Sequence, residues 1–307
     1  MTSNRLILLC DHLGAGIERE VKLLAARGFR VETTRSLRRS LERIEEGGPA
    51  LLVLDPIHPR GEVELREVDL ARAGDPPIPL LIVADPEGPL DALVGARALT
   101  AGAWDVVRRD ATSEEIQLRL ERLENERSLL FRASHDDHTD LLRPKAFQAR
   151  LTEHFSAVER HHFGLALVLI DLDRFGQINK EHDHIVGDNV IGRVGEVIRK
   201  ALRREDVAGR LGGDEFAVLL PYTEKIDAAR VVNRLREEIR GLSGRPPGAR
   251  GEILISASLG FETCDGNDID SADTLRRHAE RAMRAAKLQG GDRGVYYRSL
   301  EDQRAAE

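Results

Sequence analysis

The sequence predicts an α/β chain in two parts: a doubly wound parallel sheet, a helical segment, and then a mainly antiparallel sheet covered by helices on one face. Three observations carry this. From residue 5 to about 110, short apolar runs alternate with longer segments of helical period. A heptad-spaced helix follows, and beyond residue 136 strands and helices are punctuated by hairpin-type turns. A length of 307 residues suits two domains, at about 150 residues each. The predicted boundaries are 1–111, a helical coiled-coil linker over 112–135, the second domain over 136–299, and a tail over 300–307.

In the first part the runs Leu6–Leu9, Leu51–Leu54, Leu80–Val83 and the weaker Asp105–Val107 read as parallel strands buried on both faces. Thr112 with Glu115 three residues on is a capping-box start. Ile116, Leu120, Leu123 and Leu130 then form a short heptad seam, with Arg127 in the place between. That seam suits a linker helix or a parallel coiled coil equally. In the second part a helix around 145–159 precedes the strand LALVLID at 165–171. A helical stretch over 186–203 leads to the strands VAGRL and FAVLL, joined at Gly-Gly. A helix near 224–241, a strand at 253–260, a helix to Leu288 and a short VYY strand complete it. GLSGRPPGARGE, rich in glycine and proline, is a surface loop.

Composition excludes several classes. Hydrophobic residues make 41% of the chain and charged residues 32%, a globular balance. A net charge of −7 gives no footprint for nucleic acid. No apolar run approaches the ~20 residues of a membrane span, and the first residues lack the pattern of a signal peptide, so a soluble, cytoplasmic chain is expected. Cys10 and Cys264 are too few for a disulfide framework and too far apart for a metal pair. His161, His162, His182 and His184 have no acid or cysteine spacing that suits zinc.

The chemistry concentrates at Gly212–Phe216, where a tight glycine turn presents Asp214 and Glu215. Alone, such acids read as a solvated hairpin tip. A second acidic pair, Asp171 and Asp173, ends a wholly apolar strand. Carboxylates meeting at a strand end beside a backbone carbonyl are hard oxygen ligands suited to Mg²⁺, which completes its shell with phosphates.

At these residues the sequence resembles the GGDEF family of diguanylate cyclases. RLGGDEF at 210–216 matches the signature, and DLDRFGQINKEHDHIVGD at 171–188 is similar to D-x-D-x-F-K-x-x-N-D-x-x-G-H-x-x-G-D. DDHTDLLRPKAF at 136–147 resembles the opening D-x-L-T-G-L-x-N-R-x-x-F, and AERAMRAAKLQGGDR at 279–293 the closing A-D-x-A-L-Y-x-A-K-x-x-G-R-N. The resemblance implies a cyclase/palm-like fold and condensation of two GTP molecules into cyclic di-GMP and two pyrophosphates, in a homodimer whose active sites face each other. It implies that Asp171, Glu215 and the carbonyl of Leu172 hold Mg²⁺ (or Mn²⁺), and that Asp214 helps deprotonate the attacking hydroxyl. Asn179 and Asp188 match the pair that reads guanine; Asp188 disfavours adenine and hence a mixed GMP-AMP product. Phe175, Gly212 and Gly213 would shape the pocket, and Lys287 would bind the triphosphate. Arg203 and Asp206, at i and i+3 on one helix face, match the inhibitory R-x-x-D product site, which Arg210 would join.

The departures are specific. Gly176 and Gly291 stand where the pattern has a lysine and an arginine that contact the triphosphate. Lys180, Arg284 and Arg293 lie nearby in sequence as candidate replacements. Arg143-Pro144 replaces asparagine-arginine, and Asp183 replaces the glycine before His184. The first part resembles a response-regulator receiver. ALLVLDPIHP would carry the phosphoacceptor Asp55, with Asp11 as an acidic partner and a histidine kinase or another protein as partner. Cys10, Ala84 and Arg109 stand where a second acid, a hydroxyl residue and a lysine are usual, so a pseudo-receiver is the favoured form. Two functions follow from the resemblance: a product-inhibited diguanylate cyclase, or a catalytically weak or inactive effector that binds cyclic di-GMP.

Overall fold

The computed structural model describes all residues except 1–5, 12–28, 46–50, 56–66, 69–70, 72–76, 85–90, 109, 247 and 307, and omits the side chains of 91–95 and 302–306. The chain divides into two compact units, Met1–Phe131 and Arg132–Glu307. None of its helices is long and apolar enough to cross a membrane, among the described residues.

The first unit is a five-stranded, wholly parallel sheet. Its strands are β1 (Leu6–Asp11), β2 (Arg30–Thr34), β3 (Leu51–Asp55), β4 (Leu80–Ala84) and β5 (Asp105–Arg108), in the order β2-β1-β3-β4-β5. Apolar residues at every position let alternate side chains enter two separate cores. Leu8, Leu52, Leu54 and Ile82 pack with Ile44 of α1 (Leu37–Glu45) and Ala98 of α2 (Asp91–Ala101). Ile7, Leu9, Val53 and Leu81 pack on the other face with Ile116, Leu120 and Leu123 of α3 (Ser113–Ser134). The expected cap of α3 is present, since the Thr112 hydroxyl accepts from the Glu115 N–H at 3.2 Å.

That packing corrects the linker. Three of the four seam residues are buried in the core of their own unit, and only Leu130, 48% exposed, stays outside it. A stripe of leucine and isoleucine at heptad spacing covers a sheet as well as it covers a second helix, and here the sheet has it. The first unit accordingly runs to Phe131 rather than to residue 111.

The second unit holds α4 (Pro144–His161), β6 (Leu165–Leu172), α5 (Phe175–His182), α6 (His184–Ala201), β7 (Val207–Gly212), β8 (Glu215–Pro221), α7 (Lys225–Arg240), β9 (Ala257–Cys264), α8 (Ala272–Leu288), β10 (Arg293–Tyr296) and α9 (Tyr297–Ala306). The sheet order is β10-β9-β6-β8-β7. All pairings are antiparallel except that of the edge strand β10 with β9. Central β6 is buried throughout. Its odd positions, Leu165, Leu167 and Leu169, face Phe147, Leu151 and Phe155 of α4 and Leu275 and Ala279 of α8. Its even positions, Ala166, Val168 and Ile170, face α6 and α7 through Val190, Val194, Val232 and Leu235. Helices therefore cover both faces rather than the one expected, because β6 is apolar at odd and even positions alike and needs cover on each side.

Two boundaries differ from expectation. The stretch predicted as a strand over 253–260 is regular only from Ala257, because Ile253 pairs instead with Gly244 as an isolated bridge. The helical stretch before β7 starts earlier and breaks at Asp183, which divides α5 from α6.

Candidate functional site

The site begins with strand register. Antiparallel pairing of β6 with β8 places Asp171 directly opposite Glu215, so both side chains stand on one face as cross-strand neighbours. The turn between β7 and β8 is tight: Gly212 pairs with Glu215, leaving Gly213 and Asp214 as the loop, and Gly213 takes the left-handed φ of +48°. The Leu172 N–H donates to the Asp214 carbonyl at 3.2 Å, which fixes the turn against the end of β6. Asp171, Leu172, Asp173, Phe175, Asp214 and Lys287 line one cleft of about 390 Å³. Burial pushes the Asp171 carboxyl up, opposed by the Lys287 ammonium and reinforced by Asp214 and Glu215. Lys287 Nζ lies 2.5 Å from Asp171 Oδ2. The buried carboxylate of Asp171, beside Asp214 and the exposed Glu215, thus already draws a cation.

Among the described residues no group of three or more His, Cys, Asp or Glu side chains forms a metal cage. Two carboxylates and the Leu172 carbonyl instead fit a magnesium ion that leaves most of its shell to phosphates. Asp173 is otherwise engaged. Its carboxylate accepts from the hydroxyls of Ser256 and Ser258, each at 2.7 Å, and from the Asp292 N–H at 2.9 Å. This clasp ties the end of β6 to the start of β9 and to the loop after α8, and sequence spacing gives no sign of it.

The residues expected to read a base lie on the two helices after β6. Phe175 opens α5 and is buried. Asn179 is on α5, with its Oδ1 buried and unpartnered, and Asp188 is exposed in the second turn of α6. Gly187 leaves room for Asn179 in this position, for a Cβ there would meet the amide oxygen at 1.9 Å and displace it. Asp183 explains its own departure from the pattern. Its φ of +84° with ψ of 167° belongs to backbone that glycine adopts freely. The aspartate offsets that strain by accepting from the N–H groups of Ile185 and Val186 at 2.9 and 3.2 Å. His182 is buried and its Nδ1 accepts from the Arg250 N–H at 3.3 Å.

Arg203 and Asp206 do not share a helix face. The helix ends at Ala201, and the two residues close a turn in which Asp206 Oδ2 accepts from the Arg203 N–H at 2.8 Å. Burial pushes the Asp206 carboxyl up, against that hydrogen bond. Arg210 is held elsewhere. Its guanidinium donates to the Gly213 carbonyl at 2.8 and 3.0 Å and to Asp136 at 3.1 and 3.2 Å. It thereby joins the turn that bears Asp214 to Asp136, near the start of the unit. Burial raises the Asp136 carboxyl, but the Thr139 hydroxyl and Arg210 outweigh it and hold the group below its ordinary value.

In the first unit Asp11 and Asp55 face each other in register at the carboxyl ends of β1 and β3, where the strand order of a doubly wound sheet reverses and ligands bind. Both are buried. Ala84 closes β4, and burial pushes the Cys10 thiol up to about 12. Arg109 lies outside the described residues.

Comparison with known proteins bears on the second unit. The family described as "Diguanylate cyclase, GGDEF domain" matches residues 133–293. The diguanylate cyclase TpbB of Pseudomonas aeruginosa is 33% identical over 182 residues, which are 59% of this chain and 41% of that protein. An uncharacterized signaling protein of Caulobacter vibrioides is 32% identical over 204 residues, 66% of this chain and 24% of that protein. The chain thus spans less than half the length of these curated relatives. Among solved structures, the coiled coil and GGDEF domain of DgcB from Caulobacter crescentus, in complex with c-di-GMP, superposes with a TM-score of 0.55 at 25% identity. It covers 60% of this chain and 96% of that one. The GGDEF domain of TpbB gives 0.51 at 30% identity, covering 56% and 99%.

Proposed function

Because this chain belongs to the GGDEF diguanylate cyclase family, we propose that its second unit joins two GTP molecules into cyclic di-GMP and two pyrophosphates. The observation that carries the proposal is the cross-strand pair of Asp171 and Glu215, with Asp214 in the adjoining turn and Lys287 against them. In each half-reaction a ribose 3′-oxygen attacks an α-phosphorus, the O–P bond forms and the bond to pyrophosphate breaks. Asp171, Glu215 and the Leu172 carbonyl are the groups that would hold Mg²⁺ (or Mn²⁺). Such an ion supplies neutralisation of phosphate charge and a lowered pKa for the attacking hydroxyl. Asp214 takes the hydroxyl proton, Lys287 orients the triphosphate, and Asn179 with Asp188 reads the guanine edge. Phe175 closes the base side, and Gly212 and Gly213 allow phosphate close to the backbone.

Each unit holds one GTP, so two copies must face each other, and we infer a homodimer. The turn at Arg203 and Asp206 suits feedback by product, since arginine pairs with the guanine O6 and N7 and a carboxylate takes its N–H donors. Arg210, held by Asp136 and Gly213, braces the catalytic turn in this reading. The first unit regulates the second, with the Asp55 and Asp11 pair as the place for phosphorylation by a histidine kinase or for binding another protein. The glycines at 176 and 291 favour a second reading, a weak or inactive cyclase that serves as a cyclic di-GMP-binding effector.

Purified chain, stripped of nucleotide and incubated with GTP and Mg²⁺, is expected to form cyclic di-GMP on chromatography, and Glu215→Ala to form none. Absence of product from stripped, dimeric protein would reject the enzyme and leave cyclic di-GMP binding at Arg203 and Asp206 as the function.

A further inference from the structure

We propose that Arg284, with Lys145 facing it, supplies the outer-phosphate contacts that Gly176 and Gly291 cannot, in a cavity on the far side of Glu215 from the turn after β6. The inference deepens the cyclase reading and rests on it.

The first step is why position 291 has no side chain. Gly291 has φ of +78°, and a Cβ built on it would lie 2.8 Å from the Cγ and Oδ2 of Asp173. Asp173 cannot withdraw, because Ser256, Ser258 and the Asp292 N–H hold both its oxygens. The loop after α8 is therefore moulded on Asp173 and excludes an arginine. At position 176 a Cβ would meet nothing within 4 Å, so no neighbouring group has moved into that space either.

The second step is where cations are available. Arg293 is spent on its own loop, donating from Nε to the Gly291 carbonyl and from a terminal nitrogen to Gln289, each at 3.1 Å. Lys180 is exposed on α5 and borders neither the cleft at Asp171 nor the cavity described next. Arg284 is different. It stands one helical turn before Lys287, on the same face of α8. Both border a cavity of about 600 Å³ between α4 and α8, with Glu215 at its rim and Leu167, Leu169 and Met283 among its walls. Lys145, from the first turn of α4, enters from the opposite wall. Arg276, also at this cavity, is paired with Glu280 at 2.9 Å. Arg284 and Lys145 have no hydrogen-bond or ion-pair partner among the described residues.

Arg284 and Lys145, both exposed and unpaired among the described residues, thus line a partly apolar cavity together with Glu215 and with Lys287, which is paired with Asp171 and also borders the acidic cleft. Two unpaired cations on facing walls call for an anion, which can also take up Lys287 in place of Asp171, and apolar walls strengthen the attraction. An anion of two linked phosphates, part of the nucleotide or released as pyrophosphate, reaches Lys287 from the cleft and continues to Arg284 and Lys145. The forked guanidinium suits two phosphate oxygens at once, while Lys145 acts as a point charge.

The test is calorimetric titration of the full chain with GTP, GMP and pyrophosphate, comparing the parent with Arg284→Ala, Arg284→Lys and Lys145→Ala. Arg284→Ala is expected to weaken GTP and pyrophosphate by tenfold or more and to leave GMP, which has no outer phosphates, within twofold. Lys145→Ala should weaken them about three- to tenfold, and Arg284→Lys should recover part of the loss. Unchanged GTP affinity in both alanine variants would overturn the proposal. So would equal losses for GTP and GMP, which would mark a disturbed fold. A parent that binds GTP through Arg284 but yields no cyclic di-GMP would reject the cyclase reading while leaving this anion site standing. A parent that binds neither GTP nor pyrophosphate would reject both.

Discussion

Restoring the arginine that the sequence pattern calls for at position 291 should weaken this protein. Gly291 has φ of +78°, and a side chain in left-handed backbone costs roughly 1–2 kcal/mol. Its Cβ would also stand 2.8 Å from Asp173, whose carboxylate must then yield at least one of its three hydrogen bonds. Bonds to a charged group contribute about 1.5–3 kcal/mol each, so the two effects together come to about 2.5–5 kcal/mol. In a unit of this size each kcal/mol lowers the melting temperature by roughly 2–4 °C. Calorimetric melting of the full chain should therefore show the second unit of Gly291→Arg unfolding about 10 °C early, and Gly291→Ala nearly as early, since the Cβ alone causes the conflict. A Gly291→Arg variant that melts with the parent and binds GTP more tightly would refute both the role of Asp173 and the relocation of the phosphate contacts.

Other outcomes follow from named contacts. Asp183→Ala loses two capping bonds while keeping φ at +84°, and should lose about 1 kcal/mol in urea denaturation. Asp183→Gly gives up only a few tenths as a cap and relieves strain of about 1–3 kcal/mol, so it should gain stability; a loss would show that the backbone there is unstrained. Gly260→Ala would bring a Cβ to 2.0 Å from the Met283 nitrogen and 2.3 Å from the Ala279 carbonyl. Backbone cannot give way there, and a loss of about 3 kcal/mol is expected; less than about 1 kcal/mol would show slack between α8 and β9. Asp136 is held below its ordinary carboxyl value, so its contribution is complete above about pH 4 and disappears as pH falls through the lower folded value. Asp136→Asn should therefore lower stability at pH 7 and lose that difference in strong acid; a difference independent of pH would mean that Arg210 draws nothing from the charge.

Much of the second unit was legible because its elements are marked by local chemistry. An apolar run of this short length, closed by acidic residues, suits a strand buried on both faces better than a helix, and that identified β6. The Gly-Gly turn located Asp214 and Glu215, and Thr112 located the start of α3. Pairing across the fold was not legible in the same way. The stripe at Ile116, Leu120 and Leu123 specifies an apolar face but not what covers it, and its own sheet covers it. Ile253 and Ile255 alternate with exposed Leu254 as strand residues do, yet hydrogen bonding there goes to the loop at Gly244. Arg210 follows the same rule: nothing in RLGGDEF announces a partner 74 residues earlier. The Asp173 clasp, which draws on three separated segments, was equally invisible.

The position of β6 at the centre of its sheet also bears on how the acidic centre comes into being. The β7–β8 hairpin closes a loop of two residues and can form locally. Opposing Asp171 to Glu215 means closing the chain across two helices, and opposing it to Ser258 means closing it across a third helix and the hairpin as well. Loop closure has to be met before such distant contacts reward it. No fragment ending before β9 can therefore hold Asp173 in its clasp, and ligand-binding competence should appear in refolding only with the slowest step of sheet assembly. The local hairpin can thus present Asp214 and Glu215 early, whereas Asp171 opposite Glu215 and the Asp173 clasp come only with the completed sheet of this unit.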